Sequence, residues 1–61
     1  MKNRELKVLL QRYGYIHVRS RGDHHIFKRE GESRPIVLFG DNGTEAPDWQ
    51  VRRVKRRKTH E

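Results

Sequence analysis

The sequence predicts an α+β fold in the order α-β-β-β-α, with a three-stranded antiparallel sheet and two helices on one of its faces. Three observations carry this. An apolar period of 3.6 residues opens the chain, alternating or short apolar runs separated by glycine-bearing turns fill its middle, and a proline-led basic segment closes it.

The opening segment "NRELKVLLQRYG" places Leu6, Leu9, Leu10 and Tyr13 at i, i+3, i+4 and i+7, one apolar helix face. A helix over 3–13 follows, with Asn3 as its N-cap and Gly14 as its stop. "YIHVRS" alternates, Ile16 and Val18 on one face and Tyr15, His17 and Arg19 on the other, and reads as a half-buried strand over 15–20. The "RGD" connection is a hairpin turn in which Gly22 supplies a positive φ if one is needed. "HHIFKR" is the second strand, over 24–29, and the polar "EGES" is the second turn. "PIVLF" is a third strand over 35–39, with Pro35 tolerable at a strand start. "GDNGTEA" is a loop. Pro47 in a first helical turn and Asp48 beside the helix N-terminus then open a second helix over 47–58, whose apolar face is limited to Trp49, Val51 and Val54.

Sixty-one residues allow one domain, 1–61, with a thin margin of stability and little room for a deep water-free cavity. The absence of cysteine removes disulfides and thiolate metal sites and fits a reducing compartment, so association with a partner is the remaining source of added stability. Fifteen Lys and Arg against eight Asp and Glu give a formal charge of +7, the profile of a chain that meets phosphates; anionic membranes and acidic proteins attract the same charge. No apolar run suits a bilayer span, and the start of the chain lacks the unbroken apolar stretch of a signal peptide, so a cytoplasmic location is expected.

The segment "RRVKRRK", residues 52–58, carries six cations in seven residues. Part of that cluster complements a helix dipole, but the number exceeds what a dipole needs. A surface for nucleic acid or an acidic partner is the favoured reading, with a solvated tail as its rival. Trp49 is read first as a core residue, with base stacking as the alternative.

The only histidines are His17, His24, His25 and His60. Neighbours on a strand point to opposite faces, so His24 and His25 do not chelate one ion together, and pairing either with His17 leaves no third ligand; no metal site is expected. Strand parity sorts the pair in "GDHHIF". His24, Ile26 and Lys28 share one face, while His25, Phe27 and Arg29 share the other. If Phe27 marks the core face, His24 stands on the open face and His25 is structural support. An exposed imidazole exchanges a proton near neutral pH, and Arg19, Arg21 and Lys28 are placed to hold a phosphate. Attack of a ribose 2′-hydroxyl on its own phosphodiester needs a base, an acid and charge stabilisation, with no external nucleophile and no cofactor. Two ordinary strand histidines remain the competing reading at this point. Ser20 and Ser33 lie outside any nucleophile-elbow pattern, and the glycines form no phosphate-cradling loop.

The first half of the chain, "RELKVLLQRYGYIHVRSRGDHHIFKRE", resembles the HicA (YcfA-like) mRNA interferase toxins. The matching features are Arg4-Glu5-Leu6, Leu9-Leu10, Gly14 followed by an aromatic, and Gly22-x-His24-x-x-Phe27, spread over residues 3–39. The resemblance implies a double-stranded-RNA-binding-domain-like fold and ribosome-independent mRNA cleavage by the histidine of a Gly-Ser-His motif, which falls here on His24. It also implies a HicB antitoxin that binds the toxin and blocks its active surface. Two departures stand out: Asp23 replaces the usual serine and sets a negative charge beside His24, and residues 40–61 match poorly, with arginines after Val51-Arg52-Arg53-Val54 where further apolar residues are expected.

The resulting expectation is the toxin of a type II toxin-antitoxin system, a metal-independent endoribonuclease in which His24 is general acid or base. Gly22 shapes the approach, Arg19, Arg21, Lys28, Arg52, Arg53 and Arg56 contact RNA, and His25 is a secondary candidate. The expected partners are mRNA and a HicB-type antitoxin, with no cofactor and no membrane. A non-catalytic RNA-binding module of the same fold is the main alternative, and a protein-interaction module whose basic face meets an acidic partner is a third.

Overall fold

The structure is a computed structural model and describes residues 1–58. Its elements are α1 (Asn3–Arg12), β1 (Ile16–Arg21), β2 (His24–Lys28), β3 (Ile36–Phe39) and α2 (Asp48–Lys55), with a mixed α+β architecture in the order α-β-β-β-α. The strands form one antiparallel sheet in the order β1-β2-β3.

Helix α1 starts at Asn3, as its sequence suggests, but ends one residue sooner, at Arg12, and is capped differently. Asn3 is not the N-cap; Lys2 holds that position, and the Glu5 carboxylate accepts the Lys2 backbone N–H at 2.9 Å. The N–H groups of Asn3 and Arg4, which no helical carbonyl can reach, donate to Thr44 O and Asn42 O at 2.9 and 3.1 Å, so the loop after β3 caps the helix. Asn3 is buried instead, and its Nδ2 donates to Phe39 O at 2.6 Å and Asp41 O at 3.0 Å. At the other end, Gly14 takes a φ of +89°, its N–H reaches Gln11 O at 3.1 Å, and Tyr15 N–H reaches Leu10 O at 2.8 Å. This is the Schellman pattern, and the buried Tyr15 and Leu10 side chains supply its apolar contact.

The core is made by Leu6, Leu10, Tyr15, Phe27, Ile36, Leu38, Ala46 and Val54, with Met1, Leu9, Tyr13 and Val51 packed around it. Phe27 pairs with Ile36 and His25 with Leu38 across the β2–β3 ladder, so Phe27, Ile36 and Leu38 share the face that the helices cover. The alternate residues of these strands stand on the open face.

Strand β1 departs from its predicted burial, since all six of its residues are exposed. The core lies against β2 and β3, and β1 is an edge strand whose anchor is the preceding Tyr15. Its alternation is also interrupted. The register runs Ile16 to Lys28 and His17 to Phe27, then Arg19 to Ile26, Ser20 to His25 and Arg21 to His24, leaving Val18 as a bulge.

Helix α2 is shorter than the predicted 47–58. Pro47 is its N-cap, and Arg56, Arg57 and Lys58 lie beyond its last residue, Lys55. Like charges at Arg53 and Arg57 would face each other along a longer helix. The Arg57 carbonyl accepts Arg29 Nη1 at 2.6 Å. Arg29 follows β2 and ties three segments: it also donates to Tyr13 O at 3.0 Å, pairs with Glu32 at 3.2 Å and lies over the Tyr15 ring at 4.7 Å. Trp49 is not a core residue; it is 47% exposed, while Gln50 and Val54 are the buried positions of α2. No helix among the described residues is long and apolar enough to cross a membrane.

Candidate functional site

The two-residue turn Gly22-Asp23 sets the site. Gly22 has a φ of +60° and, among the described residues, no non-glycine residue has a positive φ, which excludes a type I′ turn and matches the type II′ pattern with glycine in first position. A Cβ on Gly22 would meet open space, so the requirement for glycine here is conformational. Gly40 N–H donates to Asp23 O at 2.8 Å and binds the turn to the end of β3.

His24 opens β2 on the open face, with its side chain half exposed. Arg21 stands directly across the β1–β2 ladder from it and Phe39 directly across the β2–β3 ladder. The Phe39 and His24 rings meet edge to face, centroids 4.8 Å apart and planes at 85°. This contact restricts the imidazole from one side, an arrangement that favours aromatic pairs. Arg19 lies opposite Ile26, one pleat repeat further along. Lys28 shares the face but sits four residues from His24, roughly 14 Å at the usual strand rise. The cations predicted around His24 are thus graded: Arg21 adjacent, Arg19 diagonal, Lys28 remote.

Asp23 Oδ1 is 3.6 Å from His24 Nε2 in an exposed pair, so its carboxylate lies within reach of the imidazole. Around these polar groups the open face is apolar. Ile16 is 64% exposed and Phe39 44% exposed, with half-buried Ile26 and Val37 between them.

His25 lies on the other side of the sheet, as its parity requires, and cannot share a phosphate with His24. It belongs to a group the sequence does not reveal. Ser20 Oγ is 2.9 Å from His17 Nε2 and 3.0 Å from His25 Nδ1, while the two imidazole centroids are 5.9 Å apart and His17 also contacts Phe27. Alternation places His17 and Ser20 on opposite faces; the bulge at Val18 puts them together. His60 lies outside the described residues, and among the described residues no three His, Cys, Asp or Glu side chains gather where a metal ion could bind.

The remaining predicted RNA contacts, Arg52 and Arg53 on α2 and Arg56 at its C-cap, are exposed on the helical side of the sheet. They line a cleft of about 470 Å³ together with Arg34, Trp49 and Arg57.

A family model described as HicA toxin of bacterial toxin-antitoxin matches residues 4–59. The match continues through the C-terminal segment that the motif resemblance leaves uncovered. No curated protein and no solved structure matches the chain significantly.

Proposed function

The chain belongs to the HicA toxin family of toxin-antitoxin systems, and on that premise we propose that it cleaves mRNA with His24 as general acid and base, in the cytoplasm, under the control of a HicB-type antitoxin. The observation that carries this reading is the placement of His24 with Arg21 and Arg19 on the one sheet face that no helix covers.

In this mechanism a ribose 2′-hydroxyl gives its proton to the His24 imidazole as its oxygen attacks the adjacent phosphorus. The new P–O2′ bond forms, the P–O5′ bond breaks, and the departing 5′ oxygen takes a proton from the imidazolium. The products are a 2′,3′-cyclic phosphate and a 5′-hydroxyl. Arg21 holds the non-bridging oxygens, where charge builds up in the transition state. Because His25 points to the other face, His24 serves both proton transfers in turn. Phe39 limits the rotation of the ring, and Gly22 keeps the turn tight enough for a strand to approach.

The same face suits an inhibitory partner. The apolar group Ile16, Ile26, Val37 and Phe39 surrounds the cations, and an antitoxin seated there would bury it and occlude His24 together.

The test is purified protein with end-labelled RNA. Wild type should yield products ending in 2′,3′-cyclic phosphate, in buffer with EDTA as without it, and His24→Ala should yield none. Cleavage by the His24→Ala chain at the wild-type rate would assign the chemistry elsewhere, and loss of cleavage with EDTA would exclude the metal-free route.

A further inference from the structure

Trp49, Arg52, Arg53 and Arg56 fall at i, i+3, i+4 and i+7 of one helical stripe. The stripe faces outward and carries an indole and three guanidiniums, continuing just past the last helical residue. Arg57 adds a wall that is held in place, since its Nη1 donates to Tyr15 Oη at 2.9 Å and to Arg34 O at 3.0 Å. Arg34, on the loop entering β3, completes a cleft whose lining is five arginines and one tryptophan. Among the described residues no carboxylate pairs with any of these five arginines.

Five converging cations repel one another and focus a positive field into the cleft, so an anion is the ligand they stabilise. The indole narrows the choice. It is 47% exposed, with the Arg53 guanidinium 5.4 Å from its ring centroid. A purely anionic ligand has no use for an exposed aromatic surface, whereas a nucleobase stacks on one and its neighbouring phosphates take bidentate guanidiniums. The cleft volume, about 470 Å³, is nucleotide-sized and lies in the usual range for small-ligand sites.

We propose that this cleft is a second nucleic-acid subsite, in which one base of single-stranded RNA stacks on Trp49 and the adjoining phosphates bind Arg52, Arg53 and Arg56. The subsite rests on the reading of the chain as an RNA-cleaving toxin, and it is remote from the proposed chemistry. The cleft lies on the helical side, by the Arg29 end of β2, while His24 lies on the open side at the other end. The five steps along the chain between them span about 17 Å at roughly 3.4 Å each. A strand that fills both sites must pass around the sheet over several nucleotides. The subsite therefore favours long substrates and leaves short ones untouched.

Trp49 is the only tryptophan of the chain, so its fluorescence reports directly on the cleft. The experiment uses the full chain carrying His24→Ala, which binds without cutting, titrated with oligouridylate, inorganic polyphosphate and polyglutamate. Oligouridylate should quench Trp49 strongly and polyphosphate little, with polyglutamate the weakest ligand. In anisotropy with labelled RNA, Trp49→Ala should weaken binding about 5- to 150-fold, the range expected of one stacked base, and Trp49→Phe should lose less. Circular dichroism confirms that each variant is folded. Equal quenching by polyphosphate would reduce the cleft to an anion site without base recognition and overturn the proposal. Tighter binding of polyglutamate than of RNA would overturn it in favour of an acidic protein partner. Because these readouts need no cleavage, an inactive wild-type chain whose Trp49 is still quenched by RNA would sink the His24 mechanism and leave the subsite standing.

Discussion

Arg21 stands directly across the β1–β2 ladder from His24 on the open face of the sheet, and the bulge at Val18 is what brings it there. Unbroken pairing onward from His17 and Phe27 would set Val18 opposite Ile26 and Ser20 opposite His24. Both open-face positions would then lack a cation. One extra residue shifts the rest of β1 by one place and exchanges Val18 and Ser20 for Arg19 and Arg21.

The register orders the cations by their expected effect on the proposed cleavage. Arg21→Ala should lower kcat/KM by about 10- to 150-fold, consistent with roughly 1.5–3 kcal/mol for a charge-assisted hydrogen bond made to a transition state. Arg19→Ala should cost less and Lys28→Ala least. Kinetics on one labelled substrate for all three variants checks the ranking, and a Lys28→Ala defect as large as that of Arg21→Ala would contradict the geometry.

On the proposed reading, Asp23 opposes an RNA ligand. Its carboxylate lies 3.6 Å from the His24 Nε2 atom, in the space that a scissile phosphate would approach. Asp23→Ser should therefore tighten RNA binding by a few-fold at low ionic strength. The gain should shrink as salt rises, because the exposed charges are screened within about 8–10 Å. Filter binding across a salt series measures it; unchanged affinity at the lowest salt would show that the carboxylate and the phosphate do not meet.

Gln50 is buried in α2, and its Oε1 and Nε2 find no hydrogen-bond partner among the described residues. A buried amide without partners costs about 1–3 kcal/mol on mutational scales. Gln50→Met, which keeps the length of the side chain, should stabilise the fold by about 1 kcal/mol or more. Chemical denaturation gives the answer through a higher midpoint at unchanged m-value.

Parts of this site were legible in the sequence because they depend on one local rule. A strand has a period of two, so adjacent His24 and His25 had to part, and Phe27 identified the core side. The Gly22 turn was legible for a similar reason, since a two-residue hairpin demands a positive φ that glycine supplies. Val18 was not legible as a bulge, because a β-branched residue in clean alternation reads the same whether it is paired or extruded. The histidine-serine-histidine group was lost with it. Trp49 misled through composition: an indole usually fills a core, but in α2 the inward positions belong to Gln50 and Val54, and helical phase alone does not say which stripe turns inward. Asn3 had the chemistry of an N-cap, and only the path of the loop after β3 moved it one place inward.

That displacement makes Asn3 the link between the start of α1 and the proposed active site. Its Nδ2 donates to Phe39 O and Asp41 O, the Phe39 ring rests edge-on against His24, and the next residue, Gly40, donates to Asp23 O at 2.8 Å. Asn3→Ala leaves two carbonyls without their donor and should destabilise the fold by about 1–3 kcal/mol. In a domain of this size each kcal/mol lowers Tm by roughly 4–8 °C. The loss should not be spread evenly. The Gly40 amide should exchange with solvent faster than amides at the Phe27–Ile36 end of the same ladder, since that end keeps its core contacts. Hydrogen exchange on the variant resolves the two ends, and equal acceleration at both would mean that Asn3 acts on global stability alone. Asn3→Asp separates the donor from the shape: it preserves the volume but turns a carboxylate toward two carbonyl oxygens, and it should destabilise the fold more than the alanine does.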